Sequence, residues 1–466
     1  MGKVIVWFRQ DLRIKENPAL LAACKKFTHV LPLYIYGKNT SLIGDAQTWW
    51  LHHSLQALKK SLLDELNLEL ILRQGKPLHI LTELLVKHSI EAVYWNRCYE
   101  PQRIERDKNI KKILSSQQYQ VQSFNASLLH EPWTIYNQQG EFYKVFTPYW
   151  KKCQENLNPP KVEVIETRPK NIQAYTDAIE DWELLPKLNW ADMFATYWVP
   201  GEEGALKNLK DFINQKLDHY QKWHNFMIKD NTSKLSPHLH FGEISPWTIV
   251  REIITQPNRL INNGNRFLFE LGWRDFSYYL LYHLPNITQK NIQDRFDNFP
   301  WQSNKTHLKA WQAGQTGFPI IDAGMRQLWK TGYMHNRVRL LTASFLVKDL
   351  LIDWRKGAQW FADTLLDADL ANNFVSWQWV AGCGVDPAPY FRIFNPILQS
   401  KKFDPNGDYI RQWVPELDQL DKKVIHAPWE YSAANFLYEQ KKYPKPIVHH
   451  PTQRKIALEC YQTINK

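Results

Sequence analysis

Two rhythms of apolar and polar positions run along this chain of 466 residues. Up to residue 125, short apolar runs alternate with helical patterns. "VIVWF" (4–8), "HVLPLYIY" (29–36), "LELILR" (68–73), "EAVYWN" (91–96) and "YQVQSF" (119–124) predict strands, with helices predicted near 16–25, 46–65, 77–88 and 103–115. Such alternation implies βαβ units, hence an α/β domain with a five-stranded parallel sheet and helices on both faces. The first strand runs into "RQDLRIKENPAL", which holds no glycine. The glycine fingerprint of dinucleotide folds and the P-loop are both missing, so a nucleotide would have to be held in another way.

Residues 126–200 break the pattern with seven prolines (132, 148, 159, 160, 169, 186, 200) and the polar stretch "NPPKVEVIETRPKN". This reads as a connector draped over the surface. From 201 to 466 the period becomes helical, as in "GALKNLKDFINQKLDHYQKWHNF", "NRFLFELGWRDFSYYLLYHL" and "HNRVRLLTASFLVKDLLIDW". The expected organisation is an α/β domain over 1–125, a connector over 126–200 and an all-α domain over 201–466.

Composition changes this picture in two respects. The net charge is +11, which points to a polyanionic partner, nucleic acid ahead of membrane because no basic amphipathic anchor stands out. There are 21 Trp, 21 Tyr and 22 Phe. Indoles are costly to bury because each N–H wants a partner, so this excess suggests a task that uses aromatic rings. Five scattered cysteines without a CxxC pair argue against a disulfide framework and against zinc, so no metal is expected. The apolar run before Arg9 is only five residues long, Val6 stands where a myristoylation motif wants Ser or Thr, and no long apolar window spans a membrane. A cytoplasmic location is expected.

Candidate chemistry concentrates in four stretches. In "LLDADLANNFVSWQWVAGCGVDPAPYFRIFNP" (365–396), Asp369, Asn373 and Trp377 recur at i, i+4 and i+8 and line one helix face. A face that is both polar and aromatic suits a polar, flat-ringed ligand. Glu270, Trp273 and Arg274 of "FELGWRDF" share another face, either as a surface ion pair Glu270–Arg274 beside a core indole or as part of a pocket. "MHNRVRL" places Asn336, Arg337 and Arg339 on an apolar helix; Arg339 needs a carboxylate partner, for which Asp367 is the candidate. In "NTSKLSPHLHFGEIS" (231–245), the hydroxyls of Thr232, Ser233 and Ser236 could cradle a phosphate near a helix start. Asn372 and Cys383 are expected to serve local structure.

These stretches, together with "WFRQDLRIKENPAL", "FTPYW" and the long block 301–415, resemble the photolyase/cryptochrome family over nearly the whole chain, most of all the class I cyclobutane pyrimidine dimer photolyases. The resemblance implies a Rossmann-like α/β antenna domain, a connector and an all-α domain holding FAD. It places the flavin contacts on Tyr220, Thr232, Ser233, Lys234, Leu235, Ser236 and Arg339, and on Asp367, Ala368 and Asp369 beside the ring. Asn373 matches the residue facing flavin N5. Trp301, Trp354 and Trp377 match the electron-transfer tryptophans. Glu270, Trp273, Arg274, Asn336, Leu340 and Trp379 match the surroundings of the flipped lesion, and Arg337, Arg392, Gln399 and Lys402 match DNA contacts. Glu270 is expected to stabilise negative charge on the dimer.

Three departures stand out. Leu340 replaces a Met of several class I enzymes, His224 replaces an Arg that touches DNA, and Gln102 and Arg103 replace the Asn and Glu of folate-binding members. A second antenna chromophore, methenyltetrahydrofolate or a deazaflavin, is therefore left open. The implied activity is light-driven repair of pyrimidine dimers in damaged DNA by a monomer that needs no membrane. The alternatives are a cryptochrome-type photoreceptor, which commonly carries a longer C-terminal tail, and a (6-4) photolyase, which would want a second His beside His335.

Overall fold

The computed structural model describes residues 2–37, 44–186, 189–257, 261–385 and 391–465. The "DPAPY" portion of the candidate stretch (386–390) lies outside the described residues. The chain forms two compact units, one of residues 1–189, 198–218 and 233–285, the other of residues 190–197, 219–232 and 286–466.

In the first unit, the strands β1 (Lys3–Phe8), β2 (His29–Tyr36), β3 (Ile71–Gln74), β4 (Ala92–Asn96) and β5 (Gln120–Phe124) lie in the order β3-β2-β1-β4-β5, every neighbour parallel. Helices α1 (Pro18–Lys26), α2 (Asp45–Leu66), α3 (Pro77–Lys87) and α4 (Pro101–Ser116) make the crossovers. Each predicted strand is present; β3 is shorter than "LELILR" because Leu68 and Leu70 are buried without joining the ladder. Register places Ile5 beside Leu31 and Val93. With Trp7, Leu33 and Trp95 these residues face Leu81 and Leu84 of α3 and Leu114 of α4, so one sheet face is a dry apolar layer.

The connector is more ordered than its prolines suggest. Helix α5 (Phe146–Gln154) buries Phe146, Tyr149, Trp150 and Cys153. Lys170–Asn171 pairs with β2 as a two-residue strand. The β3 edge is then covered: the Thr176 hydroxyl accepts from Leu72 N at 2.9 Å and the Asp177 carboxylate from Gln74 N at 2.7 Å. Unpaired edge N–H groups need acceptors, and this polar segment supplies them.

The glycine-free loop after β1 is filled by its own side chains. Asp11 accepts from Arg9 N at 2.6 Å and from Asn96 Nδ2 at 2.6 Å. Asn17 caps α1 by accepting from Leu20 N at 3.1 Å. Arg13, 1% exposed, donates to the carbonyls of Lys15, Glu16, Ala126 and Gly242. Charge that could have met a phosphate is used inside the fold. The unit also contains α7 (Glu202–Asp211), α9 (Ser236–Phe241), α10 (Pro246–Ile254) and α11 (Ile261–His283), while α6 (Phe194–Tyr197) and α8 (Tyr220–Trp223) belong to the second unit. Gly242, at φ +67°, ends α9 against the loop after β1; a Cβ there would lie 2.0 Å from the Gln10 carbonyl oxygen.

The second unit is helical: α6 (Phe194–Tyr197), α8 (Tyr220–Trp223), α12 (Lys305–Gln312), α13 (Pro319–Thr331), α14 (Asn336–Ser344), α15 (Trp354–Thr364), α16 (Leu370–Ala381), α17 (Pro396–Phe403), α18 (Asp408–Trp413), α19 (Asn435–Glu439) and α20 (His450–Thr463). Its core gathers Trp311, Phe345, Leu346, Trp354, Phe361 and Trp377. Among the described residues, no helix is long and apolar enough to cross a membrane.

Gly242→Ala meets both a left-handed backbone and a backbone oxygen that cannot move aside, so it is expected to cost about 2–4 kcal/mol of stability, read from urea unfolding of the purified protein.

Candidate functional site

Within the second unit, the approach to α16 is organised by charge. Arg339 of α14 donates from Nη1 to Asp367 Oδ1 at 3.0 Å and from Nη2 to Oδ2 at 2.8 Å, while its Nε donates to the Met334 carbonyl at 2.7 Å. The expected pairing is present and bidentate. Burial alone would lower the Arg339 pKa, but the Asp367 charge and hydrogen bonds outweigh it and raise it. Ala368, buried, leads to Asp369, whose Oδ1 accepts from Asn372 N at 2.8 Å and Asn372 Nδ2 at 2.9 Å. Asn372 therefore completes a helix cap, a local role. Cys383, also buried, donates to Gln378 within the same turn.

Asn373 lies one turn further along α16 and donates from Nδ2 to the Ala358 carbonyl at 2.9 Å, tying α16 to α15. Its Oδ1 has no hydrogen-bond partner among the described residues. That half-buried acceptor suits a ring edge bearing an N–H, as a flavin has. Trp377 is 2% exposed and packs over Gly357, where a Cβ would come within 2.1 Å of the indole. Trp354 is fully buried and donates from Nε1 to Asn291 Oδ1 at 2.9 Å, whereas Trp301 is half-buried, 4.4 Å from the Phe299 ring. Two buried indoles and one nearer the solvent form the burial order an electron relay needs. Gly357, Ala358 and Asn291 escaped the sequence reading; the small pair in "WRKGAQWF" was the available signal for the first two.

The start of α14 presents a second cluster. The His335 Nδ1 caps it by accepting from Arg337 N at 3.1 Å, and Asn336 is exposed. Burial first, then the Arg337 and Arg339 charges, lower the His335 pKa to about 4. Arg337 donates to Asn225 and lies 4.7 Å over the Phe403 ring at the end of α17. Gln399 and exposed Lys402 sit on α17; Arg392 is exposed before it, over Phe394. Leu340 and Trp379 are half-buried, Tyr220 is buried with its ring on His224, and Thr232 is hydrogen-bonded to Tyr333.

The first unit holds the remaining candidates. Ser233 Oγ accepts from Leu235 N at 3.4 Å, Lys234 adopts φ 54°, Leu235 is buried, and Ser236 opens α9. This hydroxyl and ammonium set has the chemistry of a diphosphate contact. On α11, Glu270 pairs with Arg266 at 2.5 Å rather than with Arg274. Both arginines stand one turn away, but Arg274 is drawn inward: it donates to the Ser127 carbonyl at 2.6 Å and contacts Asp275 at 3.4 Å. Arg274 thus spends donors on interior carbonyls and Asp275, away from Glu270. Asp275, whose pKa burial raises to about 6, accepts from Leu129 N and His130 N. Trp273 stacks on Phe146 at 4.0 Å, so one face of the proposed stacking surface is already covered. Arg103 is largely buried, bonded to Cys98 and paired with Glu100. A cation thus fills the position where folate binders carry Glu.

Residues 267–463 match the family model for the FAD binding domain of DNA photolyase, and residues 4–169 match the model for DNA photolyase. The chain belongs to the photolyase/cryptochrome family. The deoxyribodipyrimidine photo-lyase of Agrobacterium fabrum is 46% identical across 99% of this chain and 98% of its own length. Cryptochrome-2 of Arabidopsis thaliana is 35% identical across 98% of the chain and 78% of its length. The crystal structure of a bacterial class III photolyase from Agrobacterium tumefaciens superposes with a TM-score of 0.95 at 45% identity, covering 100% of this chain and 98% of that one. Thus, although the motifs resemble those of class I enzymes, this matched structure is of class III. FAD is the cofactor of the matched domain. Within the second unit, the Arg339–Asp367 pair and the Asn373 oxygen have the chemistry to meet the polar edge of a flavin ring.

Two outcomes follow from this geometry. Arg339→Leu strands a buried carboxylate and is expected to cost about 3–5 kcal/mol in urea unfolding together with loss of bound flavin absorbance. Above pH 6.5 His335 is neutral whether folded or unfolded; as pH falls toward 4 the unfolded chain takes a proton that the buried imidazole refuses. Stability should therefore decline over that window by roughly 1.4 kcal/mol per pH unit from this residue. His335→Asn, which keeps a capping side chain, should flatten that part of the profile.

Proposed function

We propose that this protein repairs cyclobutane pyrimidine dimers in DNA under light, with FAD as its resident cofactor, within an antenna domain over 1–125, a connector over 126–200 and a catalytic domain over 201–466. The observation that supports this reading most is the end-to-end match with a photo-lyase at 46% identity. When bound and reduced, FAD supplies an electron on excitation by light. The residues of the chain do the rest. Trp301, half-buried, and the buried Trp354 and Trp377 would carry electrons inward to keep the cofactor reduced. The Arg339–Asp367 pair would present fixed polar groups to the ring, and Asn373 offers an acceptor to it.

DNA is held by charge. Arg337, Arg392 and Lys402, with Gln399 as a neutral donor, would contact phosphates and give affinity that depends on salt but not on sequence. A dimer is already poorly stacked, so extruding it costs less than flipping an ordinary base, which provides selectivity. Asn336, Leu340 and Trp379 in the second unit and Glu270 and Trp273 in the first are assigned to the lesion by their likeness to the family's residues. Glu270 would exchange Arg266 for the bases and stabilise charge as it develops on them. A second chromophore, methenyltetrahydrofolate or deazaflavin, is part of this proposal, with its identity left open. A photoreceptor role is the second reading, favoured by the match to Cryptochrome-2. A (6-4) activity is disfavoured because the start of α14 carries His335 alone.

The test is illumination of the purified flavoprotein with a dimer-containing oligonucleotide, following recovery of thymine absorbance. Recovery is expected, and Glu270→Ala should lower the yield about tenfold or more under saturating DNA. Bound flavin without recovery would move the assignment to the photoreceptor.

A further inference from the structure

His224, the departure from a family arginine, lies in a directional chain of hydrogen bonds that ends on Arg337. The His224 Nδ1 faces the Tyr220 carbonyl at 2.8 Å, so that nitrogen carries the proton and donates. Its Nε2 then accepts from Asn225 Nδ2 at 3.0 Å. This turns the amide so that Asn225 Oδ1 accepts from Arg337 Nε at 3.1 Å and from Arg337 Nη2 at 2.6 Å. Arginine can only donate, so the amide orientation is fixed from both ends. Phe403 completes the support from the ring side, 4.7 Å from the guanidinium carbon. A flexible side chain with many rotamers is thereby held in one plane.

We infer that Asn225 is a positioning residue for Arg337: it orders the guanidinium before DNA arrives, and His224 sets the direction in which Asn225 points. The inference rests on the reading of Arg337 as a DNA contact. Two of the five N–H donors of the guanidinium are engaged by Asn225, and the plane they fix is the plane offered to a phosphate. Ordering the side chain in advance removes part of the entropy that binding would otherwise cost. In this chain an imidazole that cannot replace an arginine charge for charge instead supports a neighbouring arginine.

The test is a double-mutant cycle read by fluorescence anisotropy in the dark, with the flavin-loaded protein and a labelled dimer-containing duplex at several salt concentrations. Arg337→Ala should weaken binding and reduce the slope of log affinity against log salt by about 0.9, the loss of one phosphate contact. Asn225→Leu should weaken binding roughly 5- to 10-fold with that slope unchanged, since the charge still reaches its phosphate after paying the ordering cost. Combining Asn225→Leu with Arg337→Ala should be no weaker than Arg337→Ala alone. Asn225→Ser repeats the cycle with a smaller disturbance should the leucine variant fold poorly. If the Asn225 loss persists undiminished when Arg337 is absent, or if Asn225→Leu and Asn225→Ser both bind like the parent protein, the positioning role is overturned while the DNA contact stands. If Arg337→Ala changes neither affinity nor slope, the DNA contact itself falls, and the positioning role with it.

Discussion

A buried carboxylate must meet a cation or the turn that carries it does not pack, and the Arg339–Asp367 pair meets that demand in the second unit. The pair joins α14 to the turn that leads into α16, while the third Arg339 donor holds the Met334 carbonyl just before α14 begins. The Asp369 cap, the Asn373 amide, the His335 cap and Arg337 all lie within a few residues of these anchors. Breaking the pair would leave a charge in an apolar interior and loosen each of these groups together. The polar wall of the candidate site is therefore also a structural joint.

The first unit uses charge in a related way. Its parallel sheet has the strand order of a nucleotide-binding fold, yet the loop after β1 contains no glycine and is closed by Asp11, Arg13, Asn17 and Asn96. Arg13 donates to four carbonyl oxygens and Arg9 meets Asp107 and the Asn96 carbonyl, so both guanidinium groups of that loop are engaged inside the fold. Arg274 on α11 follows the same rule, with carbonyl oxygens and Asp275 around it.

The aromatic excess has a mixed explanation. Trp7, Trp50, Trp95 and Trp311 are fully buried and fill core space, with Trp50 donating to Glu243 at 2.9 Å and Trp311 to the Thr342 carbonyl at 3.0 Å. Trp354 and Trp377 are as deeply buried, and composition cannot distinguish them from the others. What sets them apart is their place on α15 and α16, the two helices that the Asn373 amide ties together.

The sequence by itself determined the sheet, the crossovers and the helical second half, because side-chain period reports which backbone can bury a face. It also determined which residues share the polar face of α16, and the need of Arg339 for a carboxylate, since spacing and desolvation are local properties. Asp367 was legible as the partner of Arg339, but for Glu270 the tertiary structure decided the partner. Glu270 has an arginine one turn away on each side, and it was the carbonyl of Ser127, distant in the chain, that took Arg274 and left Arg266. Gly357 became a shelf for Trp377, and Asn225 became the acceptor for Arg337, for the same reason. Spacing along one element says which side chains face the same way; which of them meet is settled by distances between elements that are far apart in the chain.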